Sequence, residues 1–165
     1  MFKFFKSIKA NKAAKADKAA SSAPAADGKR ILVVDDNPVD RQALSLMLTA
    51  KGHQVLLAES GEDAISLINT EKPDLILLDM DIQAHSSTIG GVFRDGLMVI
   101  DWVDRINPAN QIPVFIVSSL SPEQYEKRAR DNGITTFFRK PVDKEKLHEA
   151  ITQTFSKPPT EQPAC

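Results

Sequence analysis

The chain has 165 residues, enough for one ordinary domain with spare sequence at its ends, and it is 42% hydrophobic and 26% charged, which excludes fibrous and wholly disordered classes. Its apolar runs, such as Ile31–Val34 and Leu75–Leu78, are four residues long, far short of a membrane span, and its one cysteine, Cys165, excludes an internal disulfide or a cysteine zinc site. The net charge of −1 hides a split: residues 1–30 carry eight Lys and Arg against two Asp, a net of +6, and the rest is −7. An acidic body argues against direct DNA binding, whereas the basic arm suits an anionic surface.

The first 28 residues read as an arm. Met1, Phe4, Phe5 and Ile8 share one helical face, but Lys3, Lys6 and Lys9 interrupt the continuous apolar stretch that a signal peptide needs. An Ala/Lys tract over 9–27 follows, with little to bury, and reads as a linker. Two readings stand for this arm: disorder, or a short amphipathic helix over 1–12 that docks weakly on a membrane surface or a partner protein. The body is expected to be cytoplasmic, and peripheral to a membrane only through that helix.

From Lys29 strands and helices alternate. Ile31–Val34 is an apolar strand, followed by a helix over Pro38–Lys51 with Ala43, Leu44, Met47 and Leu48 on one stripe and Gly52 as its stop. Val55–Ala58 is the second strand, and Ser60 caps a second helix running to about Thr70. Leu75–Leu78 is the third strand, and Leu97–Ile106 the third helix, ended by Asn107-Pro108. Val114–Val117 is the fourth strand, with Ser121 and Pro122 opening the fourth helix. Thr136–Phe138 is the fifth strand, and Asp143 caps a last helix carrying Leu147, Ala150, Ile151 and Phe155.

Strands that are apolar on both faces require a parallel sheet covered on both sides by helices, so the fold class is α/β, doubly wound, with five strands and five helices. In such sheets reactive groups collect at the carboxyl ends of the strands. Asp35, Asp36, Asp79, Ser118 and Lys140 all stand there. Carboxylates crowded without His or Cys suit a hard cation such as Mg²⁺, and a lysine and a hydroxyl beside them suit an anionic group that arrives with the metal. That set can accept a phosphoryl group on a carboxylate.

The runs Ile31-Leu-Val-Val-Asp-Asp-Asn-Pro, Leu75-Ile-Leu-Leu-Asp79, Val114-Phe-Ile-Val-Ser118 and Phe137-Phe-Arg-Lys140-Pro141 together resemble the response-regulator receiver domain of two-component signalling, over about residues 29–155. The resemblance implies a flavodoxin-like strand order 2-1-3-4-5 and a phosphorylation-dependent switch rather than a turnover enzyme. It implies Asp79 as phosphoacceptor; Asp35, Asp36, Asp79 and the backbone carbonyl of Asp81 around Mg²⁺; Ser118 and Phe137 as switch residues; Lys140 as cationic clamp; and a cis bond before Pro141. The implied partners are a histidine kinase or histidine phosphotransfer protein and a downstream protein target. The ten residues after Phe155, with a proline-rich tail over 156–165, leave no room for an output domain, so a stand-alone receiver is expected.

Two features depart from the family pattern. Gly96, expected to open the third helix, lies seventeen residues after Asp79, so the 82–95 loop is long, and Asp81 adds a carboxylate near the site. The loop reads as a lid, a docking surface or neutral surface. Two rival functions follow: a degenerate receiver acting as an unphosphorylated scaffold, and a phosphatase of the Asp-x-Asp kind using Asp79 and Asp81. Ser119 competes with Ser118 by residue type, Phe137 also reads as plain core, and His53, His85 and His148 read as scattered surface residues.

Overall fold

The computed structural model describes residues 28–82, 96–106, 112–121, 123 and 125–156. The arm over 1–27, the loop from 83 to 95 with His85, Asn107-Pro108 and the tail from 157 onward lie outside the described residues. Five strands, β1 (Arg30–Val34), β2 (Gln54–Ala58), β3 (Leu75–Leu78), β4 (Val114–Ser118) and β5 (Thr136–Arg139), alternate with α1 (Pro38–Ala50), α2 (Gly61–Glu71), α3 (Leu97–Ile106), α4 (Glu126–Asp131) and α5 (Lys144–Ser156). All strands are parallel, in the order β2-β1-β3-β4-β5, as the resemblance implied.

The pleat sorts the strand side chains between two cores. Leu32, Val34, Ile76, Leu78 and Ile116 face α2 and α3, meeting Ala64, Ile68, Val99, Ile100 and Val103. Ile31, Val33, Leu75, Leu77, Phe115 and Val117 face α1 and α5, meeting Leu44, Met47, Leu48, Leu147 and Ile151. A strand buried on both faces cannot alternate polar with apolar, which is why these sequences read as continuous apolar runs.

The register brings the strand ends level. Val34 pairs with Ala58 on one side and Leu78 on the other, and Leu78 pairs with Ile116. Asp35 and Asp79, each one residue beyond its strand, therefore leave the sheet side by side. Side-chain caps hold three helix starts, two of them, Ser60 and Asp143, as expected. The Asn37 side chain accepts from the Val39 N–H with Pro38 at the first helical position, Ser60 Oγ accepts from the Asp63 N–H, and Asp143 Oδ1 accepts from the N–H groups of Glu145 and Lys146. Gly52, at φ +89°, adopts the left-handed conformation that closes α1.

The fourth helix differs from expectation. Ser121 is not its cap: among the described residues regular helix begins at Glu126. The Ser121 hydroxyl instead bonds the Glu123 carboxylate, and Tyr125 turns its ring inward to pack at 6.1 Å between centroids on Phe137. The histidines also differ from expectation: His53, ahead of β2, and His148, on α5, are half-buried neighbours with ring centroids 6.4 Å apart.

Candidate functional site

Backbone pairing places the two buried aspartates and the lysine of the site. The Asp35 N–H donates to the Ala58 carbonyl at 3.1 Å, and the Asp79 N–H to the Val34 carbonyl at 2.9 Å, so both aspartates continue the ladder just past the strand ends. The Lys140 N–H donates to the Ser118 carbonyl at 3.0 Å, which ties the lysine to the end of β4. The Lys140–Pro141 bond is cis.

The side chains then converge. Lys140 Nζ donates to Asp35 Oδ2 and to Asp79 Oδ2, both at 2.7 Å. The other oxygen of each carboxylate is held by backbone: Asp35 Oδ1 accepts from the Asn37 N–H at 2.9 Å, and Asp79 Oδ1 from the Asp81 N–H at 3.1 Å. Carboxylate oxygens of Asp35, Asp36 and Asp79 all lie within 4.8 Å of one another, the one such acidic group found among the described residues. Asp35 and Asp79 are buried, and Asp36 is half-buried.

Burial pushes the Asp35 carboxyl above the ordinary carboxylate range, against the lowering effect of the Lys140 and Asn37 hydrogen bonds, and the charge of Asp79 adds to the rise. Burial pulls the Lys140 ammonium down, but its bonds to Asp35 and Asp79 outweigh that and the net shift is upward. The lysine is therefore a fixed cation among carboxylates whose mutual repulsion it only partly relieves. A hard cation with oxygen ligands fits what remains: three carboxylates at one point, and no His or Cys among them.

Ser118 is completely buried and its Oγ accepts from the Leu120 N–H at 3.2 Å, whereas Ser119 is exposed, so burial separates the two serines that residue type alone left equal. Phe137 is half-buried rather than plain core, with the Tyr125 ring tilted against it and the Arg130 guanidinium carbon 5.1 Å from its centroid. The Asp81 side chain is exposed, and its contact with the site is the backbone N–H to Asp79. Gly96 comes against the same turn: a Cβ there would lie 2.7 Å from the Asp79 carbonyl oxygen and 3.2 Å from both Leu78 Cγ and Met80 Sδ. Only glycine lets α3 start this close to the end of β3.

Two residues were missed by sequence reasoning. Asp40, on the first turn of α1, stands 3.1 Å from Lys140 Nζ. Arg41 donates from Nη1 to the Asp35 carbonyl at 2.6 Å and pairs with Glu59 at 3.5 Å, bracing the turn after β1 against the turn after β2. The signal for both was their place in the first turn of α1, which starts directly beyond the end of β1.

A doubly wound parallel sheet whose strand ends carry three clustered carboxylates and a lysine bonded to two of them has the chemistry to hold a hard cation and an anionic group together. Comparison with known families gives its family: the response regulator receiver domain matches residues 31–152, and the chain belongs to that family. Protein PilH of Pseudomonas aeruginosa is 34% identical over 127 residues, covering 77% of this chain and 98% of PilH. The polar-differentiation response regulator DivK of Brucella anthropi is 26% identical, covering 74% of this chain and 93% of DivK. Among solved structures, a CheY-like receiver domain protein from Methanospirillum hungatei superposes with a TM-score of 0.67 at 20% identity, over 77% of this chain and 93% of that one, which supports the fold. Receiver domains act in two-component signalling as phosphorylation-dependent switches, generally without turnover activity of their own, and typically bind Mg²⁺ in an acidic pocket. No helix of the described residues is long and apolar enough to cross a membrane.

Proposed function

We propose that Asp79 accepts a phosphoryl group from a phosphohistidine donor, with Asp35, Asp36, Asp79 and the Asp81 carbonyl as the protein ligands of Mg²⁺. The observation that carries this reading is Lys140 Nζ at 2.7 Å from both Asp35 and Asp79, within an all-carboxylate group. In the transfer a carboxylate oxygen of Asp79 forms a bond to phosphorus as the donor's N–P bond breaks, and the imidazole keeps the electron pair. Lys140 holds the carboxylate in place and meets the added negative charge, and the buried Ser118 hydroxyl and Phe137 beside Tyr125 respond to it. Bound Mg²⁺ supplies the charge that lets an anionic donor approach this acidic crevice. Of the three clustered carboxylates, that of Asp36 is the least buried and the most open to an entering ion.

The signal would leave through protein–protein contact. Residues 29–155 act as the receiver, between a basic arm over 1–28 and the tail over 156–165. PilH and DivK, matched over nearly their whole length, support a receiver working by itself. The partners are a histidine kinase or phosphotransfer protein and a downstream protein, with the arm available for weak surface docking in a cytoplasmic setting. Incubation with acetyl phosphate and Mg²⁺ followed by intact-mass measurement tests the core of this reading. One phosphoryl group should add to the wild type and none to Asp79→Asn; uptake that survives in that variant overturns the assignment, and no uptake by the wild type favours the unphosphorylated scaffold.

A further inference from the structure

We propose that Asp40 is a positioning residue that shares Lys140 with the phosphoacceptor, drawing the ammonium toward α1 and so setting both metal affinity and the lifetime of the phosphoryl group. The proposal rests on Asp79 being the acceptor. Lys140 Nζ is bonded to Asp35 and Asp79 at 2.7 Å and ion-paired with Asp40 at 3.1 Å. The three partners are unequal. The side chains of Asp35 and Asp79 are 2% and 4% exposed, and each is also held by a backbone N–H; the Asp40 side chain is 42% exposed. Asp40 also accepts from Asn37 Nδ2 at 3.2 Å, so it keeps a partner when the lysine leaves. Its other side opens on a groove of about 160 Å³ between α1 and the turn after β5, walled by Ala43, Leu44, Met47, Pro141 and Val142.

An ammonium has three N–H donors in compact array, and a phosphoryl group on Asp79 adds acceptor oxygens beside it. Asp40 competes with those oxygens for the same cation. Without its charge, Lys140 is left wholly to Asp35 and Asp79 in the resting state, and to the phosphoryl oxygens after transfer. The first consequence opposes metal entry, because the lysine holds the metal-binding carboxylates more firmly and one attracting charge is gone. The second protects the acyl phosphate, because the clamp is undivided.

Asp40→Asn keeps the shape and removes the charge. Calorimetric titration with Mg²⁺ should show affinity lowered about threefold, the order expected for one charge several ångströms away in largely aqueous surroundings. Decay of the phosphorylated protein, followed by intact mass after removal of acetyl phosphate, should slow by about the same factor. Asp40→Glu should restore both values toward wild type, and Glu62→Gln, which removes an exposed carboxylate at the start of α2, should change neither. Unchanged affinity and lifetime in Asp40→Asn, or equal changes in Glu62→Gln, overturn the proposal. The metal titration needs no phosphorylation: a wild type that takes up no phosphoryl group refutes Asp79 as acceptor, while the metal arm still decides whether Asp40 tunes the site.

Discussion

Lys140 joins groups that would otherwise be difficult to keep together. Its ammonium lies among Asp35, Asp79 and Asp40, with only 12% of the side chain exposed. Removing it leaves two buried carboxylates facing each other, so Lys140→Ala should destabilise the fold by roughly 1–3 kcal/mol at neutral pH. Mg²⁺ should recover much of that loss by taking over the charge compensation. Thermal unfolding with and without Mg²⁺ checks it, and a variant equally stable in both conditions would show that the lysine and the metal do not share a task. Gly96 acts by the absence of a side chain. Since a Cβ would press on the Asp79 carbonyl at 2.7 Å, Gly96→Ala should lose about 1–3 kcal/mol in urea unfolding and slow phosphoryl uptake together. A loss of stability with uptake unchanged would separate the packing role from the site.

At the scale of elements, two contacts lie far from one another along the sheet. Tyr125, ahead of α4, packs on Phe137 of β5, with Arg130 of α4 over the same ring. Near the start of β1 and β2, His53 meets His148 of α5, and Lys29 Nζ lies 5.2 Å from the Phe155 ring centroid. His53 Nδ1 accepts from the Lys29 N–H, while His53 Nε2 and His148 Nδ1 are buried with no hydrogen-bond partner among the described residues. Burial, and then the charge of His148, lower the His53 pKa from its ordinary 6.5. A base whose folded pKa is lowered binds fewer protons folded than unfolded, so stability falls as pH drops through 6.5 and stops falling below the folded value. The unfolding midpoint should therefore drop between pH 7.5 and pH 5.5 in the wild type and change less in His53→Gln. Parallel pH profiles for the two proteins would remove His53 as the cause.

For the whole molecule, among the described residues both cores close without any residue before Ile31. Deleting residues 1–27 should leave the unfolding midpoint and phosphoryl uptake unchanged. If the Lys-rich arm docks on anionic surfaces, full-length protein should sediment with anionic vesicles at low salt, lose that binding as salt rises, and lose it altogether on deletion. Sedimentation that persists after deletion would place the binding in the acidic body instead.

The strands, most helix starts and the place of Asp79 at the end of β3 were determined by sequence, for local reasons. Four-residue apolar runs can bury both faces only inside a parallel sheet, Asn37, Ser60 and Asp143 cap helices through side chains two or three residues from their targets, and Asp79 follows its strand directly. The motif order from Asp35 to Pro141 was enough to expect the family and the strand order. Tertiary structure decided what depends on residues distant in the chain. Ser118 is buried where its neighbour Ser119 is exposed, Phe137 is a half-buried ring against Tyr125 and Arg130, and regular helix in α4 begins at Glu126. His53 and His148 became neighbours although ninety-five residues separate them. Lys140 met Asp40 across one hundred residues because α1 and the turn after β5 lie on the same side of the sheet. Caps and strand ends answer to neighbours a turn away, which a sequence displays; a charge shared across the sheet answers to the crossovers, which only the folded chain brings together.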